Sequence, residues 1–263
     1  MIKIITVWSE KGGSTFAFIR LVNALNEAGH ETTLYGPHEW HLGKCKGDML
    51  DNFRPESDDT LIVHFLNLTD RPPVKKVILN CHEKNVFEVG RMIQFWDECV
   101  FLNEKQKKYH ITYQGSYVTI PNLREELPTS DKVEGSDKCA GIVGSIDFNK
   151  QTHISILRAL NDGYEKVYLF GNISDEAFYN DEVKPLIDEH DEVIEYGFIS
   201  DKEKMYNMVD AVYLSSKSEV ASLVKDECDT NGTKFFGNHA TNHDVKELTN
   251  EEIIQEWVKV LEL

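Results

Sequence analysis

The chain has 263 residues, room for one large domain or two of roughly half that size, and its 41% hydrophobic, 10% aromatic and 28% charged residues exclude a mainly disordered chain. A formal net charge of −17 would repel nucleic acid or an anionic membrane, so any anionic ligand must be held by local groups. The longest apolar runs, such as 61–66 and 212–214, fall far short of the roughly 20 residues that cross a bilayer.

Residues 2–7 read as a strand, and no apolar stretch with a small-residue cleavage site follows, so the expected compartment is the cytoplasm. The five cysteines are odd in number with no C-x-x-C spacing, which fits reduced, small-hydrophobe roles and argues against a structural zinc. After a loop at 9–14, Phe16, Ile19, Leu21, Val22 and Leu25 recur at helical spacing, and Gly29 is placed to end that helix. Strands are predicted at 32–35, 61–65, 77–80, 98–101 and 117–120, with a helix at 86–95. Residues 125–138 are polar and turn-rich and read as a linker. The alternation then restarts: strands at 139–143, 166–170, 192–196 and 211–214, with helices at 152–160, near 182–189 and at 201–208. A final helix at 250–263 presents Ile253, Ile254, Trp257, Val258 and Leu261. This is an α/β protein with two Rossmann-like domains, 1–130 and 137–263, whose ligands should lie at the carboxyl ends of parallel strands.

Several fragments there could carry chemistry. Lys11-Gly12-Gly13-Ser14-Thr15 follows the first strand, where glycines let a ligand approach backbone and free helix N–H groups favour an anion; a plain tight turn is the alternative. A phosphate-binding P-loop fails for want of a lysine directly before the Ser/Thr, and a G-x-G-x-x-G fingerprint is absent. His64 and His82 each close a strand, where an imidazole can meet a sugar hydroxyl or serve structure alone. Ten histidines include no H-E-x-x-H or H-x-x-E-H pattern, so no metal set is indicated. Gly144 ends the first strand of the second half, and Lys150 six residues on could supply a point charge to a diphosphate or be a solvated loop residue. Glu219 and Glu227 stand eight positions apart, a spacing that about eight acid pairs would show by chance in a chain of this composition. Their setting is more informative, since they follow an apolar strand ending in Ser215-Ser216, and Gly232 is placed to cap a short helix that Glu227 begins.

In this order the residues resemble the donor-binding half of a GT-B glycosyltransferase of the retaining family 4 type. That family ends its donor domain with a strand, Ser, a few residues, Glu, seven residues and Glu. Here the run is Ser215-Ser216-Lys217-Ser218-Glu219, seven residues, then Glu227. Gly144-Ser145-Ile146 with Lys150 stands where the family has Gly-Arg-Leu and a following Lys, and Tyr196-Gly197-Phe198 and 206–210 match the segments before the last strand. In the first half Gly12-Gly13, the 28–32 turn, His64, His82 and Pro121-Asn122 fall in the family's order.

The resemblance implies a hexosyltransferase that retains configuration and works in a cleft between the domains. Its substrates would be a nucleotide-diphosphate sugar of GDP-mannose or UDP-glucose type and a glycan or other hydroxyl acceptor. It implies no cofactor and no metal, since protein cations replace Mg²⁺. His82, Glu219 and Lys150 would be catalytic. Gly12, Gly13, Gly144, Ser145, Lys150, Gly171, Tyr196, Phe198, Val220, Ala221, Ser222 and Glu227 would bind the donor, with Glu227 accepting the ribose hydroxyls and Tyr196 and Phe198 flanking the base. Ser145 replaces the family's Arg, Val220-Ala221-Ser222 its Gly-Phe-Gly, and Lys234 its Pro. A non-catalytic sugar-nucleotide module and a GT-B sugar-nucleotide epimerase are the alternative readings. The oligomeric state stays open, a homodimer among the options.

Overall fold

Apolar residues of both parities fill the first strand, as a strand covered on both faces requires. The computed structural model describes residues 1–66, 68–84, 95–110, 113–129, 138–238 and 246–262, and the chain divides into two units, Met1–Leu123 with Asp244–Leu263, and Arg124–His243. Among the described residues the first unit holds β1 (Ile2–Thr6), α1 (Gly13–Glu27), β2 (Thr32–Gly36), β3 (Gly47–Met49), β4 (Thr60–His64), β5 (Lys76–Cys81), β6 (Glu98–Phe101), α2 (Glu104–Tyr109) and β7 (Tyr117–Thr119). These strands form one parallel sheet of order β3-β2-β1-β4-β5-β6-β7. Ile4, Ile62, Ile78 and Val100 turn to one face and meet Phe18, Val22 and Leu25 of α1. Ile5, Val63, Leu79 and Phe101 fill the other. Each large side chain so buried contributes about 1.5–3 kcal/mol. Gly29 ends α1 with φ +87, the left-handed turn predicted for it.

In the second unit β8 (Cys139–Val143), α3 (Thr152–Asn161), β9 (Lys166–Phe170), α4 (Glu176–Phe178), a π turn at Tyr179–Val183, α5 (Lys184–Glu189), β10 (Val193–Glu195), α6 (Lys202–Asn207), β11 (Ala211–Tyr213), α7 (Leu223–Asn231) and β12 (Lys234–Phe236) follow one another. The parallel sheet has the order β10-β9-β8-β11-β12. In both sheets the winding reverses beside the first strand of the unit, between β1 and β4 and between β8 and β11. Such switch points open a crevice at the carboxyl ends of the strands.

Three expectations change. The last helix, α8 (Asn250–Glu262), expected in the second half, belongs to the first unit. Ile253, Trp257, Val260 and Leu261 share the core of Phe18 and Val22, and the buried Lys76 ammonium donates to the Val260 carbonyl, a cation at a helix C-terminus. An apolar stripe says that a helix is covered, not by which core. The expected 125–138 linker is in part structure: the second unit starts at Arg124, and Leu127 packs against the cluster of Phe170, Tyr206 and Cys228. Glu227 does not open its helix, since Ser222 caps α7 by accepting from the Lys225 N–H; Gly232 closes it at φ +82. The helix expected at 86–95 lies almost wholly outside the described residues. No helix among them is long and apolar enough to cross a membrane.

Candidate functional site

The loops that leave β8 and β11 are zipped together at the second sheet's switch point. Lys217 N donates to Asn149 O at 2.7 Å, and the Asn149 side chain bonds Ser218 in both directions, Nδ2 to O at 3.1 Å and N to Oδ1 at 3.2 Å. On this double loop Lys150 Nζ meets Glu219 Oε1 at 2.5 Å, and Ser216 Oγ donates to the same oxygen at 2.7 Å. Two residues separated by 69 positions thus place a cation and an anion side by side at the carboxyl edge of the sheet. Asp147 shapes the turn by accepting from the Lys150 N–H at 2.8 Å and from Ser145 Oγ at 2.6 Å. Asp147 thereby holds the Ser145 hydroxyl within the turn.

Glycines line this edge for steric reasons. A Cβ on Gly171 would lie 1.8 Å from the Gly144 carbonyl oxygen, so the ends of β8 and β9 approach closely only because residue 171 has no side chain. Gly144 has φ +133, with the Lys150 stem 3.5 Å from the place of its Cβ. Tyr196 follows β10 with its ring 5.3 Å from that of Phe170, and Phe198 lies two residues on. Val220 and Ala221 lead into Ser222, the cap of α7.

Glu227 is buried in α7, where Tyr206 donates its hydroxyl to Oε2 at 2.8 Å and Lys202 pairs with Oε1. Lys202 also meets Glu125 Oε2 at 2.7 Å. Asp201 caps α6 by accepting from the Lys204 N–H, so Lys202 and Tyr206, four apart, share the helix face that looks at α7. Burial, and then the Glu227 carboxylate, push the Tyr206 hydroxyl well above its ordinary pKa, which keeps it a donor. A ribose would use a carboxylate that two protein donors already engage. Neither Lys202 nor Asp147 stands out in the sequence: the partners of Lys202 lie 25 and 77 positions away, and an aspartate that caps a local turn is ordinary in a loop.

The first unit carries the remaining candidates. Gly12 is the N-cap of α1 with extended backbone, φ −149, and a Cβ there would meet nothing within 4 Å; Gly13 is the first helical residue. His64 and His82, at the ends of adjacent β4 and β5, come together with ring centroids 5.3 Å apart, and the ring of Phe18 is 4.9 Å from each. His64 Nε2 bonds Glu83 Oε1 at 2.8 Å and its Nδ1 meets Thr6 Oγ1 at 2.8 Å. His82 Nε2 and Asn80 Oδ1 are buried without a hydrogen-bond partner, and both residues line a void of about 10 Å³ beside Phe18 and Trp257.

Burial, and then the neighbouring His64, hold the His82 pKa well below its usual value. The unfolded chain takes up a proton near pH 6.5 that the folded one refuses, so the first unit loses stability as pH falls below about 6.5, by up to about 1.4 kcal/mol per pH unit. All four tryptophans, Trp8, Trp40, Trp96 and Trp257, lie in this unit, so urea midpoints from their emission report it. His82→Gln is expected to reduce the difference in midpoint between pH 8 and pH 5.5. An unchanged difference would assign the effect to other groups such as His110, which burial also shifts down.

Among the described residues no group of three or more His, Cys, Asp or Glu side chains could hold a metal ion. No family model matches the chain, and the search of curated proteins finds no match. Solved structures do match. Sucrose-phosphate synthase from Thermosynechococcus elongatus is 13% identical over 91% of this chain and 81% of its own, with a TM-score of 0.69. Anabaena HepE in complex with UDP-glucose is 12% identical over 99% and 90%, with a TM-score of 0.67. WaaG, a glycosyltransferase of lipopolysaccharide biosynthesis, is 12% identical over 100% and 91%, with a TM-score of 0.65. At such identities the likeness is one of architecture: the chain has the GT-B fold of these glycosyltransferases, two α/β units each built on a parallel sheet.

Proposed function

We propose that the chain is a glycosyltransferase that moves a hexose from a nucleotide-diphosphate sugar to a hydroxyl acceptor, with retention of configuration and without a metal. The observation that carries this reading is the Lys150–Glu219 pair, joined at 2.5 Å at the switch point of the second sheet, in the fold that HepE shows with UDP-glucose. Lys150 neutralises the diphosphate as the bond from C1 of the hexose to the phosphate oxygen breaks. Glu219 orients Lys150 and faces the hexose. Glu227 takes the ribose hydroxyls, Gly144 and Gly171 let backbone approach the phosphates, and Tyr196 and Phe198 flank the base. On the acceptor side the reading uses Gly12, Gly13 and the neutral imidazole of His82. UDP-glucose is the first donor to test, because a structure of the same fold holds it; GDP-mannose is the second.

Proton NMR of the chain with each donor, in EDTA and without acceptor, is the test. The expected result is slow hydrolysis that first releases the hexose in the anomeric configuration of the donor. Release of the opposite anomer contradicts retention, and conversion to a different nucleotide hexose makes the protein an epimerase. Binding without any turnover makes it a non-catalytic module.

A further inference from the structure

The geometry points to a saccharide-stacking platform built by Trp8 and Phe65 in the first unit. The two residues follow β1 and β4, the hydrogen-bonded neighbours at which the first sheet reverses its winding. Their rings meet edge to face, centroids 5.4 Å apart at 88°, yet Trp8 is 46% and Phe65 42% exposed. Phe65 also takes φ +48, one of two non-glycine residues in the left-handed region among those described. That conformation is unfavourable for a bulky side chain, and Gly or Asn would occupy it more easily. Exposed ring surface and backbone strain thus coincide at one place.

The chemistry around the pair selects the ligand. The backbone N–H of Trp8 donates to Thr6 Oγ1 at 3.1 Å, the Thr6 hydroxyl meets His64 Nδ1, and His64 Nε2 meets Glu83 Oε1 at 2.8 Å. The His64 ring lies 6.2 Å from that of Phe65, and Glu83 keeps 29% of its side chain exposed. Open aromatic surface beside a fixed carboxylate suits a molecule with one apolar face and a rim of hydroxyls, as a pyranose has. The Glu83 carboxylate and the net charge of −17 disfavour an anionic ligand, so the class is a neutral saccharide. As the acceptor of the transfer, that saccharide rests on the glycosyltransferase reading; as a bound ligand it does not.

Saturation-transfer NMR with maltose, lactose and cellobiose, and in parallel titration with UDP, tests the platform. At least one disaccharide is expected to bind the wild type. Trp8→Ala and Phe65→Ala are each expected to weaken it about tenfold or more, with UDP affinity unchanged. Phe65→Gly removes the ring and the backbone penalty together, so it should melt no lower than the wild type while losing the saccharide; this separates a binding role from a structural one. The proposal is overturned if no disaccharide binds a wild type that binds UDP, or if the ring variants bind as the wild type does. Saccharide binding of the expected pattern without UDP binding would uphold the platform and exclude a UDP-sugar as the donor.

Discussion

Glu227→Ala is expected to destabilise the second unit by about 3 kcal/mol and to remove nucleotide binding. The carboxylate is buried and joins a buried tyrosine hydroxyl to an ammonium that is only 12% exposed. Truncation leaves the Tyr206 hydroxyl without that acceptor and leaves Lys202 paired with Glu125. Removing one partner of a buried pair costs about 3–5 kcal/mol, because the other stays desolvated. The surviving Glu125 contact puts the expectation at the lower end. The second unit contains no tryptophan, so the loss should appear in urea unfolding followed by circular dichroism while tryptophan emission keeps its midpoint. Replacing both partners, Lys202→Met with Glu227→Leu, removes the charges together and should recover most of the stability but none of the binding. Recovery of nucleotide affinity in that double variant would show that Glu227 has a structural role alone.

Gly171→Ala should be the most damaging single methyl group in the site. The new Cβ would fall 1.8 Å from Gly144 O and 2.7 Å from Gly144 C, backbone atoms that no rotamer change can move aside. The ends of β8 and β9 must part, at about 1–3 kcal/mol or more, and the turn that carries Ser145 and Lys150 moves with them. Nucleotide affinity is expected to fall at least about tenfold. Gly12→Ala is the contrasting case, since its Cβ meets nothing within 4 Å. That variant should keep its stability in urea, and any loss of activity would show that the open space before α1 serves a ligand. A Gly171→Ala protein that binds nucleotide like the wild type would remove the close approach of these loops from the account.

Much of the frame was visible in the residues. The strands of both sheets are β-branched or apolar over several consecutive positions, α1 repeats apolar residues at helical spacing, and Gly29 and Gly232 take the left-handed turns that their places suggested. What escaped has a common cause. β3 and α2 are short and largely polar, and β12 has only three residues, Lys234-Phe235-Phe236, so they exist through contact with a neighbour and not through a pattern of their own. The allegiance of α8 is decided by Trp257 and its neighbours finding the core of Phe18, which no periodicity encodes. Lys150 and Glu219 were named because their order along the chain resembles a known family. Their contact at 2.5 Å follows from zipping two loops at the switch point. The partners of Glu227 could not be foreseen, because Lys202 and Tyr206 lie on another helix, and a Lys and a Tyr four apart are ordinary on a helix surface.

The most direct test of the account is calorimetric titration of the wild type and Lys150→Ala with UDP-, GDP- and ADP-sugars in EDTA. At least one of these donors is expected to bind the wild type without a metal, and Lys150→Ala to weaken it by about tenfold or more, the loss of a charge-assisted contact to the diphosphate. Absence of binding by every donor, or equal affinity in the two proteins, would contradict it.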